Sequence, residues 1–211
     1  MPFLDNTREY RSFTALQPLK TDTEERNSGY IVEGYASTVN EPYVLFEDGG
    51  IQYKEVILPG AFNSADLRDV IFQFDHAGMV YARSKNGSLK LMPDEHGLNV
   101  RADLSLTSKA RSIYEDISAG LIDQMSFSFI VGEGNDEYDY DTHTRIIHGF
   151  RKIYDVSAVS IPANPNTEIG IATRSAFNGF IEAEKQELLE REFEYRKRRR
   201  IELRLKLNEL R

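Results

Sequence analysis

Two short segments hold side chains that could do nucleophilic and acid–base chemistry together. Phe74-Asp75-His76-Ala77-Gly78 sets an imidazole just past an apolar run, and Gln124-Met125-Ser126-Phe127-Ser128-Phe129-Ile130 sets hydroxyls inside another. A seryl hydroxyl is a weak nucleophile at neutral pH and needs a neighbouring base to take its proton. The two groups need only meet in space, because this pairing recurs on unrelated folds in different chain orders. A third group must orient the imidazole. Asp155, in Tyr154-Asp155-Val156-Ser157-Ala158-Val159, is a carboxylate inside a β-forming run, where burying an unpartnered charge is costly. On the residues alone, an ion pair with Arg151 or Lys152, or an edge position facing water, is the commoner use of such a carboxylate. Likewise, a serine satisfying a local hydrogen bond and a histidine in a loop is the ordinary reading of Ser126 and His76. Neither Gly-x-Ser-x-Gly nor His-Glu-x-x-His occurs, so the common hydrolase elbow and the zincin helix are both absent.

These groups have to be carried by short strands. Tyr30–Ala36, Tyr53–Ile57, Val70–Phe74 and Ile153–Ile161 are rich in β-formers, and His76 falls just past the third. Leu89–Met92 and Gly97–Leu104 form a hairpin pattern around Pro93–His96. In Met125–Val131 the bulky residues Met125, Phe127, Phe129 and Val131 alternate with Ser126, Ser128 and Ile130, so the bulky set faces a core and both serines point the other way. The clearest helix runs from Ser108 to Ala119, with Thr107 or Ser108 as cap, Gly120 as stop, and Ala110, Ile113, Tyr114 and Ile117 on one stripe. Asn40–Gly50 and Gly132–Thr144 read as loop and acidic turn, and Ser64–Arg68 as a short polar piece with helical character. Many short strands with one good helix predict a mainly β (α+β) fold, a closed antiparallel β-barrel with peripheral helices.

Composition narrows the classes. The chain has 211 residues, 40% hydrophobic and 28% charged, enough for one domain with a sizeable core and an extension. A net charge of −8 argues against a general nucleic-acid binder. With no cysteine, disulfides, thiolate metal sites and a cysteine nucleophile are excluded, which fits a reducing cytosol. The absence of a long apolar run predicts neither a membrane span nor a secretory leader. The expected organisation is an arm over 1–28, a body over 29–175 and a charged C-terminal helix over 176–211. That last segment has no Gly or Pro from Phe180 to Leu210 and carries the basic cluster Arg196–Arg200, read as a solvated or partner-binding face. His76, His96, His143 and His148 lack metal spacing, and the run Glu133, Asp136, Glu137, Asp139, Asp141 lacks the glycine and terminal glutamate of a calcium loop, so no cofactor or metal is expected.

Five segments in order, Tyr30–Ala36, Glu55–Phe62, Phe74–His76, Met125–Phe129 and Asp155–Pro165 with its Pro-Ala-Asn-Pro ending, resemble the prohead proteases of tailed bacteriophages, relatives of the herpesvirus assemblins. The resemblance covers about residues 30–170 and implies a β-barrel serine endopeptidase. Ser126 would be the nucleophile, His76 the general base and then acid, and Asp155 the orienting group. Ser128 stands where relatives often have glycine and shares Ser126's face, and His148 is the substitute if Asp155 lies too far away. Oxyanion donors would be backbone amides, with Ala163 and Asn164 the candidates in the Pro162–Pro165 loop. The implied substrates and partners are the phage major capsid protein, its scaffold or delta segment and the protease itself, acted on inside the procapsid in the host cytoplasm. Self-association is expected, but no specific nucleic acid and no membrane. Two rival readings are a non-catalytic phage scaffold or assembly protein with the same barrel, and a β-rich esterase or amidase acting on small molecules.

Overall fold

A computed structural model describes residues 8–14, 16–18, 29–160 and 168–209. In chain order the strands begin with β1 (Glu9–Thr14), β2 (Leu16–Pro18), β3 (Ile31–Thr38), β4 (Tyr43–Asp48), β5 (Ile51–Ile57), β6 (Ile71–Phe74), β7 (Ala77–Arg83), β8 (Leu89–Pro93) and β9 (Gly97–Asp103). Helix α1 (Ser108–Ser118) follows, then β10 (Gln124–Val131), β11 (Asp136–Asp139), β12 (Thr144–Ile147), β13 (Phe150–Val159) and helix α2 (Glu168–Glu209).

Among the described residues the strands form three sheets, β1-β10-β13-β6-β7, β11-β12-β5-β4 and β2-β3-β9-β8. This corrects the expected closed antiparallel barrel. Closure needs an unbroken hydrogen-bonded circuit, whereas here β1 and β7, β11 and β4, and β2 and β8 end their sheets. Nor is the pairing all antiparallel, since β12 runs parallel to β5 and β13 parallel to β6. The fold is mainly β with two helices.

One core lies between the sheets. Met125, Phe127 and Phe129 of β10 are fully buried in it, as alternation requires. Phe127 stacks on Phe129 at 4.8 Å, and Phe150 packs edge-on to Phe129 at 4.8 Å and stacks on Phe62 at 4.7 Å. Each such buried ring contributes about 1.5–3 kcal/mol of apolar burial, so β10 is fixed from its core side. Helix α1 is capped by the Thr107 hydroxyl, which accepts from Ala110 N at 3.0 Å, and it buries Ala110, Ile113 and Ile117.

Several local expectations change. Asn40–Gly50 contains β4, hairpinned onto β5 through Gly49 and Gly50, whose φ of 59° and 82° suit a primed turn. Gly132–Thr144 contains β11, Ser64–Arg68 is turn and bend without a helix, and β7 continues the chain beyond His76. Helix α2 has 42 residues and starts well before Phe180, running through Gly170 and Gly179 at a propensity cost of about 1 kcal/mol each. Its Ile181 is buried with Phe46 and Tyr53, while Leu188, Leu189, Phe193 and Ile201 further along are exposed. Arg196 pairs with Glu192 at 2.5 Å and Lys197 with Glu194 at 3.3 Å along the same helix. No helix among the described residues is long and apolar enough to cross a membrane.

Candidate active site

All five strands of one sheet bring the site together, β10, β13 and the β6–β7 hairpin holding the three side chains and β1 closing over them. On the face of β10 opposite the phenylalanines, Ser126 pairs with Ser157 of β13 and Ser128 pairs with Asp155. His76 comes from the neighbouring hairpin. Asp75 and His76 are its two linking residues, between Phe74 of β6 and Ala77 of β7, which are paired. Both have left-handed φ, 47° and 54°, as a two-residue primed turn demands. For side-chain-bearing residues this costs of order 1–3 kcal/mol each, so the surroundings must hold the turn. They do so through Asp75, whose N–H donates to Ala158 O at 3.0 Å and whose carboxylate accepts from Ser160 N and Oγ, each at 2.9 Å. The imidazole is thereby aimed at β10 and β13.

His76 Nε2 lies 2.5 Å from Ser126 Oγ, and His76 Nδ1 lies 2.5 Å from Asp155 Oδ1. Ser126 and Asp155 are fully buried and the imidazole nearly so. Ser126 Oγ is also 2.8 Å from the Arg11 carbonyl on β1. With one proton to give, the hydroxyl donates to His76 when the imidazole is neutral at Nε2; when Nε2 carries a proton, it accepts from His76 and donates to Arg11 O. The imidazole is held further by Ser157 Oγ, 3.2 Å from Nδ1 and 2.8 Å from Asp155 Oδ1, and by the edge-on ring of Tyr10 at 4.7 Å.

The second oxygen of Asp155 is not left empty. It accepts from Ser128 Oγ and from the Arg8 guanidinium. Arg8 also donates to Ser128 Oγ through Nε at 3.0 Å and Nη2 at 2.8 Å, and lies over the Tyr154 ring at 4.8 Å. Burial alone would raise the Asp155 carboxyl, but hydrogen bonding and charge from His76, then hydrogen bonds from Ser128 and Ser157, outweigh it and bring it down to about 2.

Ser126, His76 and Asp155 thus converge. Ser128 shares their face but contacts Asp155 and Arg8. His148 does not join them: it lies between β12 and β13, its Nε2 3.2 Å from Glu137 of β11. Asp136 of the acidic run pairs with Arg145 at 2.6 Å. Ala163 and Asn164 lie outside the described residues. Arg8, Tyr10 and Ser157 were missed by sequence reasoning. The alternating Arg8-Glu9-Tyr10-Arg11 was the available signal for a strand presenting Arg8 and Tyr10 on one face.

A hydroxyl, an imidazole and a carboxylate in one hydrogen-bonded line is the arrangement by which serine hydrolases activate a nucleophile. The chain belongs to the caudovirus prohead serine protease family, whose model matches residues 17–179. No curated protein and no solved structure is significantly similar to it. The matched span holds Ser126, His76 and Asp155, whereas Arg8 and Tyr10 precede it.

Proposed function

We propose that this chain is a procapsid maturation endopeptidase in which Ser126 is the nucleophile, His76 the general base and then acid, and Asp155 the group that orients the imidazole. The observation that carries this reading is the pair of 2.5 Å contacts from the two nitrogens of His76 to Ser126 and Asp155. Ser126 Oγ attacks the scissile carbonyl carbon as its proton passes to His76 Nε2. The imidazolium then gives that proton to the departing amine nitrogen, leaving an ester on Ser126. Water attacks the ester, His76 takes a proton from it, and that proton returns to Ser126 Oγ as the acid fragment leaves. Asp155 stays ionised throughout, because its carboxyl sits at about 2.

Its substrates in this reading are the scaffold or delta segment of the major capsid protein and the protease itself, cut inside the procapsid in the host cytoplasm. The charged part of helix α2 after Phe180, with its exposed apolar side chains, is the packaging or scaffold-contact element that autolysis removes. Incubating the wild type and Ser126→Ala with the matching capsid precursor tests the reading. Fragments with the wild type alone support it; equal processing by both proteins, or none by either while assembly proceeds, contradicts it. Mass spectrometry of the active enzyme checks the trimmed C-terminus.

A further inference from the structure

We propose that the face of β10 and β13 bearing the triad continues into a substrate subsite that takes an acidic side chain three to five residues from the scissile bond. This subsite rests on the reading of Ser126 as nucleophile. Strand pairing carries the triad face onward: Ser126 opposes Ser157, Ser128 opposes Asp155, and after a bulge at Tyr154 Ile130 opposes Lys152. An open cleft of about 580 Å³ lies there, lined by Asp66, Ile130, Arg151, Lys152 and Tyr154.

The charges in this cleft are unequally committed. The carboxylate of Asp66 is held by Arg68 Nε at 2.9 Å and Nη2 at 3.0 Å. Lys152 makes no ion pair among the described residues, and its Nζ stands 5.0 Å over the Tyr154 ring. Arg151 also lines the cleft, but it has contacts of its own. Arg8 covers the same tyrosine ring at 4.8 Å, but its charge is engaged with Asp155. The cleft therefore offers an ammonium group, an aromatic wall and the apolar Ile130, which suit a carboxylate on a short methylene stem.

Spacing sets the register. Four residues along β10 from Ser126 to Ile130 span about 13 Å, and an extended peptide advances about 3.3 Å per residue. A segment lying along this face with its scissile carbonyl at Ser126 sets a residue three to five places away over Lys152.

The test uses the full chain and a proteome-derived peptide library, with the cut sites read by mass spectrometry. Wild type is expected to enrich Asp and Glu several-fold at one position three to five residues from the cut, on one side only. Lys152→Glu should replace that with enrichment of Lys and Arg, and Lys152→Met should abolish it; circular dichroism verifies that both variants fold. Cutting with no acidic enrichment, or an unchanged preference in folded Lys152→Glu, overturns the subsite and leaves the peptidase reading intact. A wild type that cuts neither the library nor the capsid precursor overturns both.

Discussion

Strand β1 and Arg8 just before it feed two buried polar clusters on opposite faces, and they differ in what they can do. Arg8 and Tyr10 reach Asp155 and His76 on one side. Glu9 and Arg11 join Glu55 and Arg145 on the other. In the second cluster, Arg11 binds both oxygens of Glu55, at 2.6 and 2.7 Å, and Arg145 binds Glu9 at 2.6 Å and Asp136 at 2.6 Å. Burial would raise the carboxyl of Glu9, but Arg145 and Arg11 pull it below its ordinary value; burial wins at Asp136 and raises it. Its partners are fixed charges and the Tyr43 hydroxyl, which donates to Glu55, so the cluster ties strands together and pairs no hydroxyl with an imidazole. The first cluster ends in a hydroxyl that can pass its proton to the imidazole and bond to carbon. Burial and dense hydrogen bonding are common to both. What separates them is the hydroxyl–imidazole pair at one end, 2.5 Å apart.

Asp155→Asn should show the largest difference between the clusters. If Asp155 orients the imidazole as proposed, losing its carboxylate should lower kcat by about 10⁴-fold while the fold persists. The depressed Asp155 carboxyl adds a pH signature. Its stabilising contribution is complete above the ordinary carboxylate range and is lost progressively as pH falls from that range to about 2. Activity lost in acid milder than that range therefore does not come from Asp155, and that part of the wild-type unfolding profile should survive in Asp155→Asn.

Glu55→Gln should act on the other cluster alone. Breaking a buried, paired charge is expected to cost about 3–5 kcal/mol in denaturant unfolding. The pH dependence of kcat in the folded fraction should not move. A shift there would mean that the two clusters are coupled through β1.

Arg8→Met tests a residue that touches both Asp155 and Ser128. Hydrogen bonds to charged groups contribute about 1.5–3 kcal/mol, so a roughly ten- to hundredfold fall in kcat is expected, partly restored in Arg8→Lys. Ser128→Ala is the mildest change. It removes one hydrogen bond to Asp155, and a fall of about 2–10-fold is expected, which separates a supporting hydroxyl from the nucleophile.

Much of the site was legible in the chain because it obeys period-two alternation. Serines interrupting a row of Met125, Phe127 and Phe129 had to lie on the opposite face, and they do. The cap and stripe of α1 were legible for the same local reason. The parallel partners β5–β12 and β6–β13 were not, because strands far apart in sequence leave no mark in local periodicity. The β6–β7 hairpin was hidden because Asp75 and His76 occupy a turn whose usual signature is Asn-Gly. Arg8 was hidden by the polar, irregular stretch around it, although β1 is a paired strand.

Reaction of the full chain with a fluorophosphonate, followed by fragment-ion mapping of the peptide holding both Ser126 and Ser128, tests the central claim most directly. The account predicts one adduct, on Ser126, lost in Ser126→Ala and in His76→Ala. An adduct on Ser128, or undiminished labelling when the imidazole is removed, would contradict it.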